Sequence, residues 1–133
     1  MATQAREASV LQYVNALEMD RAATHELRYG LINRAFGLPE ETKQSIGMVQ
    51  KERMPFLQVD QYPAQAEMRQ QQEGYLPAGN SMVSVLVENI DRLPIEDMKV
   101  GDALRSNTAI YKGRKSQVIK GLAFELIELI EIE

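Results

Sequence analysis

The chain has no cysteine, no tryptophan, a single histidine (His25) and only 6% aromatic residues. Without cysteine there can be no disulfide, no thiolate nucleophile, and no cysteine-ligated zinc or iron–sulfur centre. One histidine rules out a His-rich metal site and leaves His25 as the only side chain that titrates near pH 7 by default. No run of 18 apolar residues occurs, so no membrane-spanning helix is expected. The segment Met1–Glu7 lacks the charged start and apolar block of a signal peptide. Ala2 stands where N-myristoylation would require glycine. The expected location is therefore non-secreted, in a virion or the bacterial cytoplasm.

What is present is near average. The 133 residues suit one domain, or one domain with an arm, and 44% hydrophobic with 26% charged residues is a globular balance. Fifteen basic residues stand against nineteen acidic ones, a net charge of −4. That balance argues against a nucleic-acid binder, whose affinity comes mainly from neutralising phosphates.

Three regions separate by pattern: a helical arm or subdomain over 1–53, a Gln/Pro-rich irregular connector over 54–80, and an antiparallel β region over 81–133. In the first, Val10, Val14 and Leu17 form one helical stripe, with Leu11 and Tyr13 beside it. Leu27, Leu31, Ile32, Ala35 and Phe36 form a second. Gly37 and Leu38-Pro39 read as a stop, and Pro39 as the first turn of a third helix over 39–53. That helix carries only Ile46, Met48 and Val49 as apolar content, and Gly47 costs it about 1 kcal/mol relative to alanine.

The connector holds Pro55, Pro63, Pro77, Gly74 and Gly79, and six of the eleven glutamines fall between Gln58 and Gln72. It is expected to be an exposed loop or arm, with a short helix possible over Ala64–Gln72. In the third region, Met82–Val87 and Thr108–Tyr111 read as short strands, Leu93–Asp97 as a turn or a single helical turn, and Lys112–Lys115 as a hairpin tip returning through Gln117–Ile119. In Leu122–Glu133 the periods of a strand and of a helix nearly tie; the isoleucines and Gly121 favour a strand. Read as a strand, one face carries Leu122, Phe124, Leu126, Ile130 and Ile132, with Glu128 the exception. The expected fold class is α+β: N-terminal helices followed by a small antiparallel sheet or partly closed barrel.

Catalytic templates find little support. His25 sits among Glu18, Arg21 and Arg28 and reads as a surface residue. Glu88, Asp91, Glu96, Asp97 and Asp102 lack the spacing of a calcium loop and read as turn residues. No catalytic residue, metal site or cofactor is expected, and the chain reads as a non-enzyme.

Charge is uneven. Lys99, Arg105, Lys112, Arg114, Lys115 and Lys120 face only Asp102 over residues 99–120, a local +5, whereas residues 121–133 carry four glutamates and no base. Arg105, Lys112, Arg114 and Lys115 are the candidate contacts for an anion or an acidic partner. Leu122, Phe124, Leu126, Ile127, Leu129, Ile130 and Ile132 are the candidate oligomer interface, because the terminal strand is apolar on both faces. The general organisation is similar to that of small bacteriophage proteins. The expected function is therefore a self-associating structural or assembly protein, a phage particle component of decoration or adaptor type. Its partners would be further copies of itself or a larger protein assembly, with no membrane. The alternative is a small soluble binding or inhibitor protein that captures an anionic, nucleotide-like ligand or an acidic host partner.

Overall fold

A computed structural model describes residues 2–67, 70, 72, 73, 75 and 82–132. The chain divides into two compact units, Met1–Met68 and Arg69–Glu133.

In the first unit the elements are β1 (Ala2–Thr3), α1 (Arg6–Ala16), β2 (Asp20–Arg21), β3 (His25–Arg28), α2 (Gly30–Ala35), β4 (Lys43–Lys51) and β5 (Met54–Gln61). They form a five-stranded sheet in the order β1-β5-β4-β2, with β3 also paired to β4. β1 runs parallel to β5, and the other pairs are antiparallel. In the second unit the elements are β6 (Val83–Val87), two single 3-10 turns (Ile90–Arg92 and Glu96–Met98), β7 (Lys99–Arg105), β8 (Lys115–Lys120) and β9 (Leu126–Glu131). Here the order is β6-β9-β8-β7, again with the first and last strands parallel.

The two units thus repeat one topology: a strand, a crossover segment, then an antiparallel run whose last strand returns beside the first. Such a parallel return needs a crossover to cover one sheet face. In the first unit the crossover is the helix α1; in the second it is the pair of 3-10 turns.

These findings correct the expected fold class. The chain is mostly β, with two helices among the described residues, and not N-terminal helices followed by a small sheet. The third helix expected over 39–53 is strand β4. Its apolar residues are too few for a helical face, but as a strand Ile46 and Met48 alternate with Gly47 and Val49. At Gly47 α1 lies close to the strand: a Cβ there would stand 2.6 Å from Val10 Cγ2. The second helical stripe is split, with Leu27 in β3 and Leu31–Ala35 in the one-and-a-half-turn α2. The connector expected to be irregular begins with β5, whose Val59 is fully buried. Part of the helix expected over Ala64–Gln72 lies outside the described residues, as do Gly74, Pro77 and Gly79; Ala64 and Gln65 form a turn. In the β region the sheet is mixed, because β6 pairs in parallel with β9. Thr108–Tyr111 is a turn within the loop between β7 and β8, and the terminal strand is β9.

Both cores follow from which face the crossover covers. In the first unit Val10, Tyr13 and Ala16 of α1 and Leu17 at its C-cap are buried, as are Val49 and Val59 of the sheet. Gly47 and its cross-strand neighbour Val59 share this face, so Ile46, Met48, Gln58 and Asp60 point to the other. In the second unit Val85, Ile119, Ile127 and Leu129 form the covered face. The first 3-10 turn is held there by the Ile90 N–H donating to Glu131 (3.1 Å) and by the Lys115–Asp91 ion pair. Ile90, Ile95 and Met98 are buried as well.

A buried amide network ties the α2 segment to β4. Asn33 Nδ2 donates to the carbonyls of Glu40 and Thr42, both at 2.9 Å, and its Oδ1 accepts from Gln44 Nε2 at 2.7 Å. Gln44 Oε1 in turn accepts from the Tyr29 N–H. The irregular path from 36 to 42 is therefore fixed by one side chain that satisfies backbone groups no ladder reaches.

Candidate functional site

The uncovered face of the second sheet carries the most distinctive chemistry among the described residues. The register places Ser84, Glu128, Val118 and Val100 in one row across β6, β9, β8 and β7. The next row is Leu86, Ile130, Ser116 and Leu104. Glu128 occupies the centre of the sheet and is only 6% exposed. Its Oε2 accepts from Ser84 Oγ at 2.6 Å and its Oε1 from Tyr111 Oη at 2.7 Å. Around it the apolar side chains of Leu86 (60%), Val100 (42%) and Leu104 (68%) lie open.

Burying a carboxylate is costly unless its oxygens are hydrogen-bonded. Here two hydroxyls supply those bonds, and among the described residues no ion pair involves Glu128. Tyr111 comes from the loop between β7 and β8. That loop is folded back by Gly113, at φ +80°, and Lys112, at φ +52°, with the Gly113 N–H donating to the Ser106 carbonyl. Donating to Glu128 holds the Tyr111 phenol above its ordinary pKa, with desolvation and the carboxylate's charge adding to the effect. The phenol is thus kept protonated and acts as a donor.

The first unit repeats the pattern more weakly. On its uncovered face Asp60 lies in register with Ile46, and Ile46 with His25. Gln58 Nε2 donates to Asp60 Oδ1 at 2.7 Å and to Tyr29 Oη at 3.3 Å. Each unit therefore sets one carboxylate on its last strand, facing away from its crossover. Among the described residues no three of His, Asp and Glu come together to hold a metal ion.

The four candidate cations all belong to the β7–β8 hairpin, where Arg105 lies in register with Lys115. Arg105 bonds the Gly113 carbonyl at 3.0 Å and stands 3.9 Å from Glu131. Lys115 pairs with Asp91, whose carboxyl is held below its usual range chiefly by that bond. Lys112 is exposed and Arg114 half-buried in the same loop. Of the terminal apolar residues, Ile127, Leu129 and Ile130 are buried within the fold, Phe124 and Leu126 half-buried, and Leu122 and Ile132 exposed.

Sequence reasoning missed Glu128, Ser84 and Tyr111 as a group. One signal was present: Glu128 is the lone polar residue on an otherwise apolar strand face, a position that needs a compensating partner. The partners' positions, 44 residues before and 17 before in sequence, were not readable.

No family model matches the chain, and neither does any curated protein. Solved structures do. A glyoxalase family protein from Bacillus cereus superposes with a TM-score of 0.63 at 17% identity, over 98% of this chain and 89% of that one. A glyoxalase family protein from Enterococcus faecalis gives 0.61 at 14% identity, over 98% and 90%. A member of the glyoxalase/bleomycin resistance protein/dioxygenase superfamily from Sphaerobacter thermophilus gives 0.55 at 15%, over 98% and 91%. The fold is therefore the glyoxalase/bleomycin-resistance fold of βαβββ repeats. This overturns the expected phage structural role: the structures the chain superposes on are described as glyoxalase family or superfamily proteins, and none as a particle component. No helix among the described residues is long and apolar enough to cross a membrane.

Proposed function

We propose that the protein binds a small organic molecule on the uncovered face of the second sheet, around Glu128, and does so without catalysing its conversion. The observation that carries this reading is the pairing of opposites on one face. A buried carboxylate bridged by Ser84 and Tyr111 sits amid the exposed apolar side chains of Leu86, Val100 and Leu104. Ligand sites typically combine an apolar lining with a few fixed polar groups that set orientation. A binding role rather than catalysis fits the protons in place, since both hydroxyls direct theirs to Glu128. The glyoxalase fold supports a small-molecule role without specifying one.

The test is a fragment screen by NMR on the isotope-labelled full chain. Hits should move the amide resonances of Ser84, Leu86, Leu104, Tyr111 and Glu128 together, and mass spectrometry should return each hit unchanged. Hits that cluster elsewhere, or none at all, refute the site; turnover of a hit refutes the non-catalytic part. Self-association belongs to the same reading, and light scattering checks it: a strict monomer would remove it.

A further inference from the structure

We propose that the ligand of this face is a primary ammonium carried on an apolar body. The inference rests on the binding reading above and names the chemistry the site selects. Ser84 and Tyr111 each own one hydroxyl proton, and each gives it to Glu128. With those protons committed, the three side chains present only acceptors to a visitor: the remaining lone pairs of the carboxylate and those of the two hydroxyl oxygens. The cluster carries one negative charge, and among the described residues no side chain forms an ion pair with it.

An ammonium group answers each of these features. It brings three donors, no acceptor, and the opposite charge. A neutral alcohol brings one donor, and a carboxylate or phosphate would meet Glu128 with like charge. The surroundings set the rest of the molecule. Leu86, Val100 and Leu104 share the face with Glu128 and lie open, which suits a hydrocarbon body and offers nothing to a hydrated inorganic cation.

The experiment titrates the labelled full chain with hexylammonium chloride, 1-hexanol, sodium hexanoate and calcium chloride. Hexylammonium should shift the Ser84, Tyr111 and Glu128 resonances saturably. It should bind about tenfold or more tightly than 1-hexanol, because its bonds to the carboxylate are charge-assisted. Glu128→Gln should bring the two to similar affinity. Because that substitution faces a buried position, Tyr111→Phe serves as a second variant: released from the phenol, Glu128 Oε1 should hold hexylammonium about threefold more tightly, while 1-hexanol changes less.

Equal binding of the alcohol or of hexanoate would overturn the ammonium assignment while leaving a ligand face in place. A response to calcium at lower concentration than to hexylammonium would overturn it in favour of an inorganic cation. An unchanged preference in Tyr111→Phe would also overturn it. Silence from all three hexyl compounds would sink this inference; the fragment screen decides separately on the face itself.

Discussion

Replacing Gly47 by alanine tests the packing that makes the first unit. The added Cβ would lie 2.6 Å from Val10 Cγ2 and 3.2 Å from Arg6 Nη1. Carbon atoms pack at about 3.5–4.0 Å, so α1 and β4 must part by about 1 Å or Val10 must turn. Arg6 can swing aside. Val10 is fully buried, and its β-branched side chain is stiff at χ1, so it cannot. Overpacking of this kind costs about 1–3 kcal/mol. Alanine offsets about 0.4–1 kcal/mol of that by narrowing the unfolded ensemble, because the extended backbone of β4 accepts it without strain. The net loss should be about 1–2 kcal/mol, lowering the urea midpoint by about 0.5–1 M for an ordinary slope. The cause can be isolated by pairing it with Val10→Ala, which removes the clashing methyl and alone costs about 2 kcal/mol. The double variant should then be more stable than additivity predicts by about 1 kcal/mol. Full stability of Gly47→Ala, or simple additivity in the double variant, would refute the close approach.

Three further outcomes are expected. Asn33→Leu strands two carbonyls and the Gln44 amide in a buried place, and urea unfolding should show a loss of about 3 kcal/mol or more. Glu52 sits at φ +57° in the two-residue turn between β4 and β5, so Glu52→Gly should raise the urea midpoint by the equivalent of about 0.5–1 kcal/mol; a fall would contradict the turn geometry. The Tyr111 phenol has its pKa raised in the fold, so its contribution is present below the unfolded tyrosine pKa and is lost as pH climbs through the folded value. In an absorbance titration, Tyr111→Phe should remove one late-ionising phenol from the curve of the unaltered protein.

Legibility followed the range of the interactions involved. The turns at 93–97 and 112–115 were readable because proline, glycine and charge act locally; in the terminal segment the strand and helix periods nearly tied, and only the isoleucines and Gly121 leaned to the strand that is found. The segment 43–51 was not. Five apolar or small residues, Ser45 to Val49, fit a weak helix as well as a strand, and only pairing with β5 and β3 selects the latter. Gly47, a defect in a helix, is an asset where α1 must come close. The basic residues were legible as a group, but not the partners that Arg105 and Lys115 take, which are Glu131, Asp91 and a backbone carbonyl.

What the sequence determined alone is a set of exclusions and one anomaly. No cysteine chemistry and no multi-histidine centre are possible, and Glu128 interrupts an apolar strand face. The tertiary structure decided what that anomaly is. Strand pairing put Ser84 beside Glu128, and a loop with two residues at positive φ returned Tyr111 to it. It also decided the architecture, since a unit of strand, crossover and antiparallel return occurs twice with no repeated sequence to announce it. The physical reason is common to both: side-chain type and local backbone preference are written within a few residues, whereas burial, register and hydrogen-bond partnership are settled between segments tens of residues apart.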